Sequence, residues 1–396
     1  MPDTTQRAPM MLLVTLMATS QVAITIFLPS LPSMADDLAT SQALVQMTVA
    51  AYLGAFALAQ LVVGPLSDAI GRRKPLIAGL ILFTLASIGC ALAPDIGFLI
   101  GARIVQAIGG CALIVVARAI VRDTTDGTAA TRAMAYLGMS LAVAPMIAPL
   151  IGGQLETRFG WQANFMFTAL LGGGALLGTI MTLRETLPAA DRHQTRAGAL
   201  ARTYLRLAGM SRFMGYSLSA GAMAATFQAF LAGIPFALIV LMDVPPEKIG
   251  FFILSAPLGY IAGNYIASRM ARNTTRSRMI WIGSVLAIAS TGATVILALI
   301  GLDTPFTLFM PFFVYSLGSG FVVPNALAGA LTEIEPAAAG SAAALGGFLQ
   351  MGSGFASTLI VAALVQTSFV QLGTLMLACT LLSWLFFAVL VLPKRR

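Results

Sequence analysis

Arg103 has more chemistry to offer than any other side chain in this sequence. It sits inside the apolar run Phe98 to Val121, where a charge is expensive and marks a functional site by default. An arginine satisfied by backbone carbonyls is the competing reading. Gln106 follows three residues on, and in the first apolar run Gln21 and Thr25 share a helical face at i, i+4, so both are candidate partners for the guanidinium. A second cluster, Gly64-Pro65-Leu66-Ser67-Asp68-Ala69-Ile70-Gly71-Arg72-Arg73-Lys74, gathers one acid and three bases at the end of another run. Asp123 closes the Arg103 run and is expected to pair with Arg72 or Arg73. Such groups bind, gate and move charge. Bond-breaking chemistry is poorly supplied: the one histidine, His193, lies in a polar segment, and no paired-carboxylate, Cys/His or metal-ligand set falls in an apolar run. There is no phosphate-binding loop either. An enzyme and a nucleotide-driven pump are therefore disfavoured, and no cofactor or metal is expected.

The elements that must position these groups follow from composition. Of 396 residues, 58% are hydrophobic and 10% charged, against about a quarter charged in a soluble domain. A bilayer core about 30 Å thick needs about 20 apolar residues per helix, and the long unbroken runs exclude the short alternating strands of a barrel. Twelve spans result: Met10 to Leu31, Ala43 to Val63, Pro75 to Ala93, Phe98 to Val121, Ala133 to Ile151, Asn164 to Leu183, Phe213 to Leu241, Ile249 to Met270, Met279 to Ile300, Pro305 to Leu331, Gly340 to Val365 and Phe369 to Leu392. The polar segment Arg184 to Arg212, with Arg192, Arg196, Arg202 and Arg206, divides them into two sixes. The predicted organisation is an amino-terminal bundle over 1–184, a linker over 185–212 and a carboxyl-terminal bundle over 213–396.

The net charge of +8 reports topology rather than nucleic-acid binding. With a cytoplasmic amino terminus, the inner loops hold Arg7, Arg72, Arg73, Lys74, Arg122, Arg132, the linker arginines, Arg269, Arg272, Arg276, Arg278, Lys394, Arg395 and Arg396, and the outer loops only Arg158 and Lys248. That asymmetry predicts both termini inside. A cleaved signal peptide is a poor reading of the first run, which is long and ends in Pro29, Pro32, Asp36 and Asp37. Cys90, Cys111 and Cys379 have no metal-type spacing and read as packing residues.

The Gly64 to Lys74 segment, with Gly64, Asp68, Gly71, Arg72 and Arg73 in register, resembles the signature loop of the major facilitator superfamily, which latches two six-helix halves on the cytoplasmic side. Asp68 would serve there as a fixed anion facing the amino end of another helix. Three further segments resemble the Bcr/CflA branch of drug:proton antiporters: Leu99 to Gly110 with Ala117 to Asp123; Gly138, Pro145, Pro149, Gly152 and Gly153; and Pro324-Asn325-Ala326 with Gly340 to Met351. The second of these is similar to a motif of exporters. The resemblance implies an all-α membrane protein of twelve helices in two pseudo-symmetric bundles, alternating access, and a role for Arg103 in coupling protons and substrate through polar groups on the first helix. The prolines and glycines of the fifth run predict a bent, closely packed helix.

The sequence departs from that branch at Thr25, which stands where relatives carry an acid just before an aromatic-Leu-Pro segment, here Phe27-Leu28-Pro29. No acid falls mid-span, so coupling through Asp68, Asp123 or the substrate's own proton is open, as is passive facilitation, and neutral or anionic substrates are favoured over cations. Superfamily geometry adds Tyr52, Phe227, Gln228, Phe230, Tyr260, Asn264, Tyr315 and Asn325 as lining candidates. The expected protein is a monomeric exporter of drugs and other small molecules in a bacterial inner membrane, with small molecules and protons as partners besides the bilayer. The rival readings are an exporter or facilitator of the cell's own metabolite and a non-transporting receptor of transporter ancestry.

Overall fold

In a computed structural model, residues 9–125, 127–188, 197–236, 252–271, 273–302, 304–332, 338–364 and 369–392 are described, with a few single residues between them. Arg7, Arg192, His193, Arg196, Lys248, Arg272, Lys394, Arg395 and Arg396 lie outside them. Among the described residues the chain forms fourteen α-helices. They are α1 Met10–Thr25, α2 Leu31–Asp37, α3 Gln42–Ile70, α4 Arg73–Ala91, α5 Ile96–Thr124, α6 Gly127–Phe159, α7 Gln162–Thr182, α8 Ala197–Ala208, α9 Ser211–Phe236, α10 Ser255–Met270, α11 Arg276–Leu299, α12 Pro305–Leu331, α13 Ala339–Leu364 and α14 Phe369–Leu390. Eleven spans, α1 and α2 counting as one, are long and apolar enough to cross a membrane. The twelfth expected span corresponds to α10, 16 residues long; its predicted start at Ile249 lies outside the described residues.

Short polar side chains start several helices as N-caps. Ser41 accepts from the Leu44 amide, Asp95 from Phe98, Thr275 from Arg278, and Thr304 forms a capping box with Thr307 before Pro305. Helix α3 stops at Gly71, whose φ of 95° no β-carbon tolerates easily. One prediction needs correction. The first span is not one helix: α1 ends at Thr25, a 3-10 turn covers Leu28–Ser30 and α2 follows, because Pro29 and Pro32 supply no amide hydrogen to continue the ladder. Within the segment Arg184 to Arg212 lies a helix, α8. In α8, Leu200, Tyr204 and Leu207 recur at i, i+4, i+7; Leu207 is buried, and the Tyr204 hydroxyl donates to the Leu61 carbonyl at 2.9 Å. Burial pushes that phenol up to about 12, so it remains a donor.

The helices sort into two sets of six. In the first, α3 and α4 pack on α5, α4 on α7, and α1 on α5, α6 and α7; in the second, α9 packs on α12, α13 and α14, and α12 also on α10 and α11. The sets meet where α3 runs along α13 and α6 touches α10. Each set contains a crossing that only glycines permit. A β-carbon on Gly109 would lie 2.5 Å from the Gly79 carbonyl oxygen, and one on Gly318 would lie 2.5 Å from that of Gly283. The α4–α5 and α11–α12 crossings occupy matching places in the two sets, as internal symmetry requires. Leu58, Val62, Leu85, Leu170, Leu177 and Leu299 are exposed on helix flanks, which fits contact with lipid.

Candidate functional site

A cavity of about 980 Å³ lies between the two sets of helices. One face of α3 (Phe56, Gln60, Gly64, Asp68) and one of α5 (Ile114, Val115, Arg118, Ala119, Arg122) form its first wall. Across it stand Met223, Ala224, Phe227, Gln228 and Leu231 of α9, Tyr260 of α10, Tyr315, Ser316 and Ser319 of α12, and Gly347, Gln350 and Met351 of α13. These sets repeat at i, i+4, i+8 because one helical stripe meets the space. The cavity runs to the bundle end that carries Asp68, Arg72 and Gly340. At the other end, Ile26, Phe27, Leu28 and Leu31 belong to one apolar cluster with Phe230, Leu231, Ala232 and Ile234 of α9. The Gln46 amide spans the sets there, donating to the Ala232 carbonyl at 3.4 Å.

Of the predicted lining residues, Gln21, Thr25, Phe227, Gln228, Tyr260 and Tyr315 reach the cavity. Tyr315 also donates to the Met223 carbonyl at 2.5 Å, tying α12 to α9. The others do not line it. Phe230 turns away and packs on Phe309 and Phe312. Asn264 and Asn325 fold back on their own helices, donating to the carbonyls of Tyr260 and Phe321 at 2.9 and 2.8 Å.

Arg103, Gln106 and Tyr52 form a sealed core, each 0% exposed. Arg103 Nη1 donates to the Ala23 carbonyl at 2.9 Å and to Gln106 Oε1 at 2.5 Å, and Gln106 passes the chain to Ser87 at 2.7 Å. The guanidinium lies over the Tyr52 and Phe27 rings at 4.2 and 4.4 Å; desolvated contacts of this kind are worth about 2 kcal/mol. Among the described residues, Arg103 Nε and Nη2 meet no hydrogen-bond acceptor. Gln21 and Thr25 are thus not its partners as expected: Thr25 Oγ1 donates instead to the Gln21 carbonyl at 3.4 Å. The guanidinium holds α1 by its backbone.

The charged cluster assembles around Arg72, only 3% exposed. Its Nε donates to Asp123 at 2.6 Å, and its Nη1 to Asp68 at 2.5 Å and Ser67 at 2.8 Å. Its backbone amide meets Glu185 at 2.7 Å. Burial alone would pull this guanidinium down, yet the bonds and charges of Asp123 and Asp68 outweigh it and hold it above its usual value. Arg73 takes another part, bonding the Leu183 and Ile180 carbonyls at the end of α7. Arg122 lies 3.8 Å from Asp68. All of Arg72's partners belong to the first set of helices and the segment after it.

Helix α6 continues unbroken from Gly127 through Pro145 and Pro149 to Phe159, longer than predicted. Pro145 and Gly138 line the cavity, and Pro149, Gly152 and Gly153 are buried. Gly152 approaches α1 so closely that an added β-carbon would fall on the Ile26 carbonyl oxygen; Gly138 has nothing within 4 Å and does not serve close approach as expected. Gly64 also meets only an ordinary contact, Val115 at 3.8 Å.

The Major Facilitator Superfamily profile matches residues 13–358. The chain belongs to the Major Facilitator Superfamily. It is 33% identical over 371 residues to Multidrug resistance protein D of Escherichia coli K12, covering 93% of this chain and 91% of that protein. Identity to the Bicyclomycin resistance protein homolog of Haemophilus influenzae is 27%, covering 90% and 89%. The human organic anion transporter TETRAN shares the fold at a TM-score of 0.72 and 16% identity, over 96% and 98% of the two chains. This superfamily chain is a multi-pass membrane transporter rather than an enzyme, and these relatives bear out the Bcr/CflA likeness.

Sequence reasoning passed over several polar wall residues, among them Gln60, Arg118, Ser319 and Gln350. The signal for Arg118 was present, since it falls inside the predicted Phe98 to Val121 span. Gln60 repeats the helical phase of Phe56 and could have been found the same way.

Proposed function

We propose that this chain exports small molecules, drugs among them, by alternating access, and that the cavity is its inward-facing state. The carrying observation is the cavity itself, lined from both sets of helices, closed at one end where the Leu28–Ser30 turn and α2 meet α9, and reaching Asp68, Arg72 and Gly340 at the other. By the positive-inside pattern the latter end is cytoplasmic. The names of the multidrug and bicyclomycin resistance relatives support drug efflux, and we place it in a bacterial inner membrane with the chain acting as a monomer. Rocking of the bundles 1–184 and 213–396 about the linker 185–212 would open the closed end. Asp68 stands across the cavity from Gly340, at the amino end of α13; closing this end would bring acid and helix terminus together as a latch.

Proton antiport is the favoured drive, with Asp68 and Asp123 as proton carriers. Facilitated diffusion is a second reading, supported by the wall's lack of any acid beyond Asp68 among the described residues. Chloramphenicol efflux from proteoliposomes, with and without an imposed proton gradient, decides between them. The gradient should accelerate efflux several-fold, and Arg103→Ala should remove that acceleration by releasing α1. Flux that follows only the drug gradient would leave a facilitator, and absence of flux a receptor.

A further inference from the structure

Of the charged groups on the cavity wall, Asp68, Arg72 and Arg122 belong to the cluster at the mouth. Arg118 is the fourth and stands apart. It lies six residues inside the end of α5 at Thr124, about 9 Å deep at 1.5 Å per residue. Its side chain is exposed to the cavity rather than packed. Among the described residues no carboxylate, carbonyl or ring is recorded against it. The two acids within reach of α5 are engaged elsewhere, Asp123 and Asp68 both on Arg72. A cation facing a cavity with low-dielectric walls concentrates anions there. The same space offers apolar surface from Val115, Phe227, Tyr260 and Met351, and its volume suits a drug-sized ligand.

We propose that Arg118 anchors the acid group of an amphipathic organic anion, a carboxylate or sulfonate with an aromatic body, and thereby sets the substrate class. Planar guanidinium takes a carboxylate in two parallel hydrogen bonds, while the rings and Met351 receive the remainder. Arg122, one turn nearer the mouth on the same face, meets an incoming anion first. This inference rests on the transporter reading for its meaning but not for its test.

The test measures binding of naphthalene-2-carboxylate and its neutral isostere naphthalene-2-carboxamide to the full chain in phosphatidylcholine vesicles. The parent should prefer the carboxylate. Arg118→Gln should lower the carboxylate-to-amide affinity ratio about tenfold or more, the loss expected for a charged hydrogen-bond partner, and Arg118→Lys should keep most of it. A parent without preference overturns the proposal, and needs no variant to fold. So does an unchanged ratio in Arg118→Gln, or equal weakening of both probes, which would mark a packing role. Charge-selective binding without flux would instead remove the transporter reading and leave this one standing. Chloramphenicol flux with no carboxylate preference would do the reverse.

Discussion

A single methyl group added at position 152 should cost this protein about 1–3 kcal/mol, the usual penalty for overpacking, whereas the same methyl at position 138 should cost nothing. Both glycines lie in α6 and both belong to the exporter-like segment. Alanine gains about 1 kcal/mol of helix propensity over glycine, so each substitution begins with a credit. At Gly138 nothing stands within 4 Å of the new carbon, and the credit remains. At Gly152 the new carbon meets a backbone oxygen, that of Ile26, which cannot rotate aside as a side chain would. Helix α1 must therefore move, and with it the Ala23 carbonyl that Arg103 holds at 2.9 Å. Thermal unfolding midpoints in detergent check this: Gly152→Ala should fall and Gly138→Ala should hold or rise. Equal midpoints would show that α1 and α6 are looser than the structure has them.

The same contrast explains what the sequence could and could not disclose. Apolar length alone revealed the spans, because lipid leaves a helix no other way to satisfy its backbone. The break after Thr25 was hidden, since the hydrophobic run continues through Phe27 and Leu28 into the prolines. Helix α8 was hidden by its arginines, although Leu200, Tyr204 and Leu207 carried the helical period. Within the site, residue type identified polar groups inside spans but not which way they face. Phe227 and Phe230 are three residues apart on α9; one lines the cavity and the other packs on Phe309 and Phe312. Arg103 and Arg118 are both arginines in one helix. The first is enclosed by Phe27 and Tyr52, the second stands open. Only the packing of neighbouring helices separates a sealed charge from an available one.

Replacing Arg72 by glutamine should be among the most damaging single changes. The side chain joins Asp68 and Ser67 of α3 to Asp123 of α5, and its backbone amide joins Glu185 beyond α7. Its removal leaves two carboxylates with only the exposed Arg122, at 3.8 and 3.9 Å, and in unequal settings: Asp123 is 13% exposed and Asp68 42%. Breaking a buried pair costs about 3–5 kcal/mol, and solvent at Asp68 reduces this, so a loss of about 2–4 kcal/mol is expected. Lysine should not restore it, because one ammonium cannot span the two acids and the serine that the guanidinium fork reaches. A double-mutant cycle with Asp123→Asn, read by unfolding midpoints, should return most of the loss as coupling. Additive effects would mean that the pair is solvated and that the cluster holds no helices together. Because every side-chain partner of Arg72 among the described residues lies in one set of helices, this loss should appear as instability of that bundle before it appears as a gating defect. Asp68→Asn removes only the half-exposed arm and leaves Arg72 on Asp123. It should thus spare stability while lowering chloramphenicol efflux, which separates the staple within a bundle from the latch between bundles.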